Sequence, residues 1–220
     1  MNSNKLLVII GMGKGISYGV ARKFGKEGFK VVLVSRNITN LKKYQSELSK
    51  EGIDSFPYIA TAGEPNSVKQ AIKKIENDHG TVDVLLYNAS KIKKTHILSD
   101  TSLSIADDFK INVGGALTAT KAVLPGMLEK GSGSIFFTGG GFALKPNPDF
   151  GSLGLGKAAL RNLNEVLNES LKETPIHVAS VIVTGKVSES DKKYSPNAIA
   201  EEYWKLYEQP VGKFDSEIIY

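Results

Sequence analysis

The residues with the plainest chemistry are glycines. Gly11-Met12-Gly13-Lys14-Gly15-Ile16-Ser17 follows the apolar run Leu6-Leu7-Val8-Ile9-Ile10 and precedes a helical pattern that contains Ala21 and closes on Gly25 and Gly28. Glycines at such a turn let the main chain approach a diphosphate closely, and the free N–H groups at the start of the next helix bind its charge. The spacing departs from Gly-x-Gly-x-x-Gly, because position 16 is isoleucine. The second apolar run, Lys30-Val31-Val32-Leu33-Val34-Ser35, continues into Arg36-Asn37. A carboxylate there would hold the ribose hydroxyls of NAD, whereas the planar donor fork of arginine pairs with a 2′-phosphate. Lys14 supplies a second positive charge inside the loop, so these residues predict NADP(H) over NAD(H). An S-adenosylmethionine-dependent methyltransferase is disfavoured, since Arg36 stands where its acidic ribose contact is needed.

These groups need a frame, and the chain alternates strand-like and helical patterns from end to end. Strands are expected at 5–10, 30–35, 53–60, 82–87, 133–138, 176–183 and 216–220, and helices at about 15–27, 38–50, 65–78, 102–129, 151–173 and 197–208. Short runs rich in β-branched residues, such as His177-Val178-Ala179-Ser180-Val181-Ile182-Val183, favour buried strand over helix. The β-α alternation with right-handed crossovers predicts an α/β chain with a doubly wound, mostly parallel sheet of seven strands in a Rossmann fold. At 220 residues, with no repeat, linker or low-complexity tract, residues 1–220 are expected to form one domain.

Further motifs carry a resemblance. Tyr87-Asn88-Ala89-Ser90 after strand four, Ile111-Asn112-Val113, Ser134 to Gly140 followed by Leu153-Gly154-Leu155-Gly156-Lys157, and Thr184-Gly185-Lys186-Val187-Ser188 after strand six keep an order and spacing similar to the short-chain dehydrogenase/reductase family. The glycine loop resembles that family's Gly-x-x-x-Gly-x-Gly with Ser17 as its last member. The resemblance implies cofactor contacts from Gly11, Gly13, Lys14, Gly15, Ile16, Ser35, Arg36, Asn88, Ala89, Lys157, Gly185, Val187 and Ser188. The aspartate that meets adenine in the family falls at Thr61.

In the family a tyrosine gives a proton to the carbonyl oxygen as hydride leaves the nicotinamide; a lysine lowers its pKa, a serine orients the substrate and an asparagine completes a water relay. Asn112 and Lys157 match two of the four. The tyrosine position is Leu153 and the serine position, thirteen residues earlier, is Gly140. The resemblance also gives Lys157 a hydrogen bond to the nicotinamide ribose and lets Asn112 fill a helix-kink role. Losing a positioned general acid costs ~10²–10⁴-fold, so the ordinary mechanism is expected to be severely impaired. Ser152 is rotated from Leu153 by about 100° on the helix and points elsewhere. Thr138, Tyr87, Tyr194 and Lys157 itself are further candidate donors. The expected function is an NADP(H)-binding oxidoreductase acting on an unidentified carbonyl or alcohol; the alternative is a non-catalytic nucleotide-binding or sensor protein.

The remaining composition narrows the partners. The absence of cysteine excludes disulfides and thiolate chemistry, and His79, His96 and His177 are too scattered for a metal site. A net charge of +5 attracts anions, but the lysines form no nucleic-acid-binding motif. No apolar run approaches a membrane span or a secretory signal, so the cytoplasm is expected. Lys91, Lys93 and Lys94 follow strand four, either as a solvated loop or as an attraction for an acidic substrate. Only Glu189 to Ser195 separate Ser188 from the last helix, little room for the long substrate lid that the resemblance implies, so an open or abbreviated substrate pocket is expected. The resemblance also implies a homo-oligomer, dimer or tetramer, paired through the two long helices at about 102–129 and 151–173, the second offering Leu155, Ala159, Leu163, Val166 and Leu167.

Overall fold

The computed structural model describes residues 5–220. Seven strands form one sheet: β1 (Leu6–Ile10), β2 (Lys30–Ser35), β3 (Ser55–Ile59), β4 (Val84–Tyr87), β5 (Gly133–Gly140), β6 (Ile176–Val183) and β7 (Glu217–Ile219), in the order β3-β2-β1-β4-β5-β6-β7. Every pairing is parallel, including β7, whose Ile218 lies beside Val181 of β6. The expected mostly parallel sheet is therefore wholly parallel, in a Rossmann-like arrangement.

Alternation along each strand sends successive side chains to opposite faces, and both faces are covered. Leu7, Ile9, Val31 and Leu33 join Phe24 of helix α1 (Ile16–Lys26) and Tyr203 of helix α7 (Pro196–Tyr207) in one core. Leu6, Val8, Ile10 and Val32 face the other way, into a core with Ile72 of α3 (Pro65–His79), Val123 of α5 (Gly115–Lys130) and Leu160 of α6 (Gly151–Leu171). Helix α2 (Ile38–Ser49) starts on Asn37, whose side chain accepts from the Asn40 N–H at 3.0 Å. Gly19 brings α1 against α7 so closely that an added Cβ would lie 2.2 Å from the Pro196 carbonyl oxygen.

One helix differs from expectation. The stretch 102–129 is two α-helices, α4 (Ser102–Phe109) and α5, joined by a π-helical turn over Lys110–Gly114. Periodicity read from apolar residues does not detect one extra residue in a turn. Gly115, just after the turn, allows a close approach: a Cβ there would sit 2.2 Å from both the Ala62 carbonyl and the Tyr87 hydroxyl. The sheet reverses direction of travel between β1 and β4, which opens a crevice at the carboxyl ends of the strands. Among the described residues no helix is long and apolar enough to cross a membrane.

Candidate cofactor cleft and active site

A cleft of ≈ 1180 Å³ occupies that crevice, lined by the ends of β1, β2, β4, β5 and β6 and the loops that follow them. Gly11 turns the chain with φ +91, a conformation that favours glycine, and a Cβ there would lie 2.3 Å from the Ala89 nitrogen. The turn is fastened from two sides. The N–H groups of Gly11 and Met12 both donate to the Val34 carbonyl at 3.0 Å, and the Asn88 side-chain amide donates to the Gly11 carbonyl at 2.9 Å. Asn88 is thus a tie between the β1 and β4 loops. Ser17 closes the loop on itself, its hydroxyl accepting from the Gly13 N–H at 2.9 Å. A Cβ on Gly13 or Gly15 would meet nothing within 4 Å, and α1 begins on Gly15 with no side-chain cap. An uncapped helix start beside open glycines is the surface a diphosphate needs.

Of the residues proposed from sequence for the cofactor, Gly11, Gly15, Ile16, Ser35, Arg36, Asn88, Ala89, Lys157, Gly185 and Val187 line the cleft, as does Thr61. Arg36 has no acidic partner among the described residues. Lys14 departs from expectation: its ammonium pairs with Glu47 of α2 and lies 3.8 Å from the centre of the Tyr18 ring, outside the cleft lining. A carboxylate on the neighbouring helix offers it an ion pair that sequence spacing does not reveal. Ser188 is also outside the lining; its N–H donates to the Tyr194 carbonyl at 3.1 Å.

The catalytic candidates meet at the ends of β5 and α6. Lys157 is buried, and its ammonium donates to the Thr138 carbonyl at 2.6 Å. Burial lowers its pKa to about 8. Leu153, one helical turn earlier, is buried to 7% exposure and lines the cleft, as does Gly140. A Cβ at Gly140 would touch the Lys157 stem at 3.5 to 3.6 Å, so the site has room for one. Asn112 sits in the π turn. Its side-chain oxygen accepts from the Lys91 N–H at 2.7 Å, while its buried amide nitrogen has no partner and faces the position of a Gly156 Cβ at 2.7 Å.

The other proposed donors are engaged elsewhere. The Thr138 hydroxyl shares a buried hydrogen bond of 2.8 Å with Tyr203. Tyr87 is buried and donates to the Ile111 carbonyl, and desolvation raises its pKa. Ser152 donates to Asp108 at 2.7 Å. Tyr194 packs its ring where a Cβ of Gly185 would be and bonds the Thr184 hydroxyl at 3.1 Å. Its ring meets that of Tyr220 edge-on at 5.7 Å, and the Tyr220 hydroxyl donates to the Lys193 carbonyl at 2.8 Å. The short segment before α7 is therefore pinned to the end of the sheet.

Lys93 is likewise structural, paired with Asp100 at 2.7 Å and Asp108 at 3.0 Å, and only Lys91 of its cluster lines the cleft. The structure adds Phe142, Leu144, Lys145 and Phe150, which sequence reasoning did not single out. They lie between β5 and α6 in a stretch without periodicity, and the only signal there was the clustering of large apolar residues around one lysine.

Known proteins place this geometry. Residues 5–198 match the family model described as short chain dehydrogenase. An uncharacterized oxidoreductase of Staphylococcus aureus (strain MRSA252) is 28% identical over 219 residues, covering 94% of this chain and 93% of the relative. A dehydrogenase/reductase SDR family member 4 of Bos taurus is 28% identical over 176 residues; 80% of this chain aligns, spanning only 63% of the bovine protein. Among solved structures, a short-chain dehydrogenase from Rhodopseudomonas palustris superposes with a TM-score of 0.87 at 25% identity over 98% of this chain and 97% of that one. A metagenomic short-chain oxidoreductase in complex with NADP superposes with a TM-score of 0.88 at 21% identity, over 99% and 97% of the two chains. Sheet order, glycine turn and the match over residues 5–198 agree: the chain belongs to the short chain dehydrogenase family.

Proposed function

We propose that residues 1–220 act as one NADP(H)-binding domain of an oxidoreductase for an unidentified carbonyl or alcohol, with a reductive step slowed by Leu153 and Gly140 at the positions of the family's tyrosine and serine. The observation that carries the cofactor reading is Arg36, which lines the cleft at the end of β2 with no acidic partner among the described residues. The residues present fit the group: Gly15 and the uncapped start of α1 would take the diphosphate and Arg36 the 2′-phosphate. NADPH, when bound, supplies hydride. An ammonium has three N–H groups; Lys157 gives one to Thr138, leaving two for ribose hydroxyls. Leu153 gives the reacting oxygen no proton and an apolar neighbour, which disfavours negative charge there.

Fluorescence titration tests the cofactor. NADPH should bind more tightly than NADH, and Arg36→Ala should weaken NADPH by about tenfold or more while leaving NADH nearly unchanged, as loss of a charge-assisted contact to one phosphate requires. Equal affinities in the wild type would refute the assignment. A non-catalytic sensor is the second reading, favoured by the same two residues without hydroxyls. Single-turnover NADPH oxidation against a panel of carbonyls separates the two, since a sensor oxidises none.

The same reading extends to assembly and setting. We place the protein in the cytoplasm, without nucleic-acid or membrane partners, as a homo-oligomer joined through α5 and α6. Leu155 and Val166 of α6 are 52% and 53% exposed and Leu117 of α5 is 40% exposed, an apolar expanse that a second copy would cover. Light scattering at micromolar concentration should return a dimer or tetramer, and Leu155→Lys with Val166→Lys should return a monomer; a wild-type monomer would overturn this.

A further inference from the structure

Five cationic side chains line the cleft, Arg36, Lys91, Lys145, Lys157 and Lys186, and among the described residues no aspartate or glutamate does. Arg36 and Lys186 belong to the turns after β2 and β6 already assigned to the cofactor, and Lys157 is held by Thr138. Lys91 and Lys145 are left. Both are exposed, and neither has an ion-pair partner among the described residues.

These two lysines stand on a built wall. The β4 loop and the loop before α6 run side by side, the N–H of Thr95 donating to the Asp149 carbonyl at 2.9 Å and that of Ile97 to the Pro148 carbonyl at 2.8 Å. Asn112 fixes the backbone of Lys91 at 2.7 Å, and a Cβ on Gly151 would lie 2.7 Å from Ile97, so the wall is packed onto the start of α6. The same lining holds large apolar side chains. Phe142 and Phe150 stack at 5.1 Å between ring centres, 17° from parallel, and Leu153 lines the same cleft where a tyrosine hydroxyl would have been polar.

We infer that the cleft beyond Leu153 takes a carboxylate-bearing ligand with a compact apolar body, its charge met by Lys91 and Lys145 and its body by Phe142, Phe150 and Leu153. An apolar pocket with a few convergent charges selects amphipathic ligands, and a cationic rim without competing carboxylates raises the local concentration of anions. This deepens the oxidoreductase reading and rests on it for the substrate's place beside the cofactor.

The test is calorimetric, on the whole chain, with 3-phenylpropanoate and octanoate against their neutral amides, with and without NADP⁺, which keeps hydride transfer out of the measurement. At least one acid should bind about tenfold more tightly than its amide, and Lys91→Gln with Lys145→Gln should erase that preference while changing NADP⁺ affinity by less than about twofold. Equal binding of acid and amide, binding of neither, or an acid preference that survives the double substitution overturns the proposal. So does an equal loss of NADP⁺ affinity, which would assign both lysines to the cofactor. If NADP⁺ fails to bind the wild type, the oxidoreductase reading falls instead, and the acid and amide comparison on the free protein still decides the lysine pair.

Discussion

Replacing Leu153 with tyrosine and Gly140 with serine together should raise NADPH-dependent carbonyl reduction by ~10²–10⁴-fold, the usual worth of a positioned general acid. The backbone accepts both changes. Gly140 is extended at φ −163, and its added Cβ would make ordinary contact with the Lys157 stem. Leu153 already faces the cleft one turn from Lys157, so a tyrosine there would extend its hydroxyl into the same space. Each single change should gain far less than the pair, because donor and orienting hydroxyl act as a unit. Steady-state NADPH oxidation by wild type, both single variants and the double variant decides it. Brisk wild-type turnover abolished by the double change would show that another residue gives the proton.

Lys157 should also make stability depend on alkaline pH. Burial lowers its pKa from 10.5 to about 8, so between those values the unfolded chain binds a proton that the folded chain does not. Stability attributable to this residue therefore rises with pH across that window; below pH 8 both states are protonated and the full cost of the buried ammonium remains. At about 1.4 kcal/mol per pH unit, the wild type should gain ~3 kcal/mol on Lys157→Met between pH 8 and pH 10.5. Urea unfolding of the two proteins at several pH values measures the difference. A flat difference would mean that the ammonium is solvated in the folded chain. Lys157→Met should at the same time lower cofactor affinity, so stability and binding move in opposite directions at neutral pH.

Strand patterns such as Leu6–Ile10 and Ile176–Val183 were legible because their burial on both faces demands continuous β-branched and aliphatic runs. The glycine turn was legible because the left-handed backbone at Gly11 suits that residue almost alone. What escaped was what depends on distant partners. Lys14 finds Glu47 thirty-three residues away, and Lys93 finds Asp108 across the cleft wall. A charge in sequence carries no sign of whether a partner will neutralise it. The apolar pattern alone did not show the π turn at Asn112, because one inserted residue leaves it almost unchanged on either side; only the resemblance pointed to a helix kink there. Phe142, Lys145 and Phe150 escaped because loops carry no period to read.

The segment between Ser188 and α7 bears on ligand traffic. Tyr194 and Tyr220 hold it to the end of the sheet, so any swing of this segment would first have to break those contacts. A segment so held leaves ligand entry and escape to encounter and to the contacts made inside the cleft, in so far as it alone would gate them. With lysines on the rim and, among the described residues, no carboxylate in the lining, encounter is the salt-sensitive part: anions arrive faster at low ionic strength, while their residence time is left to the apolar wall.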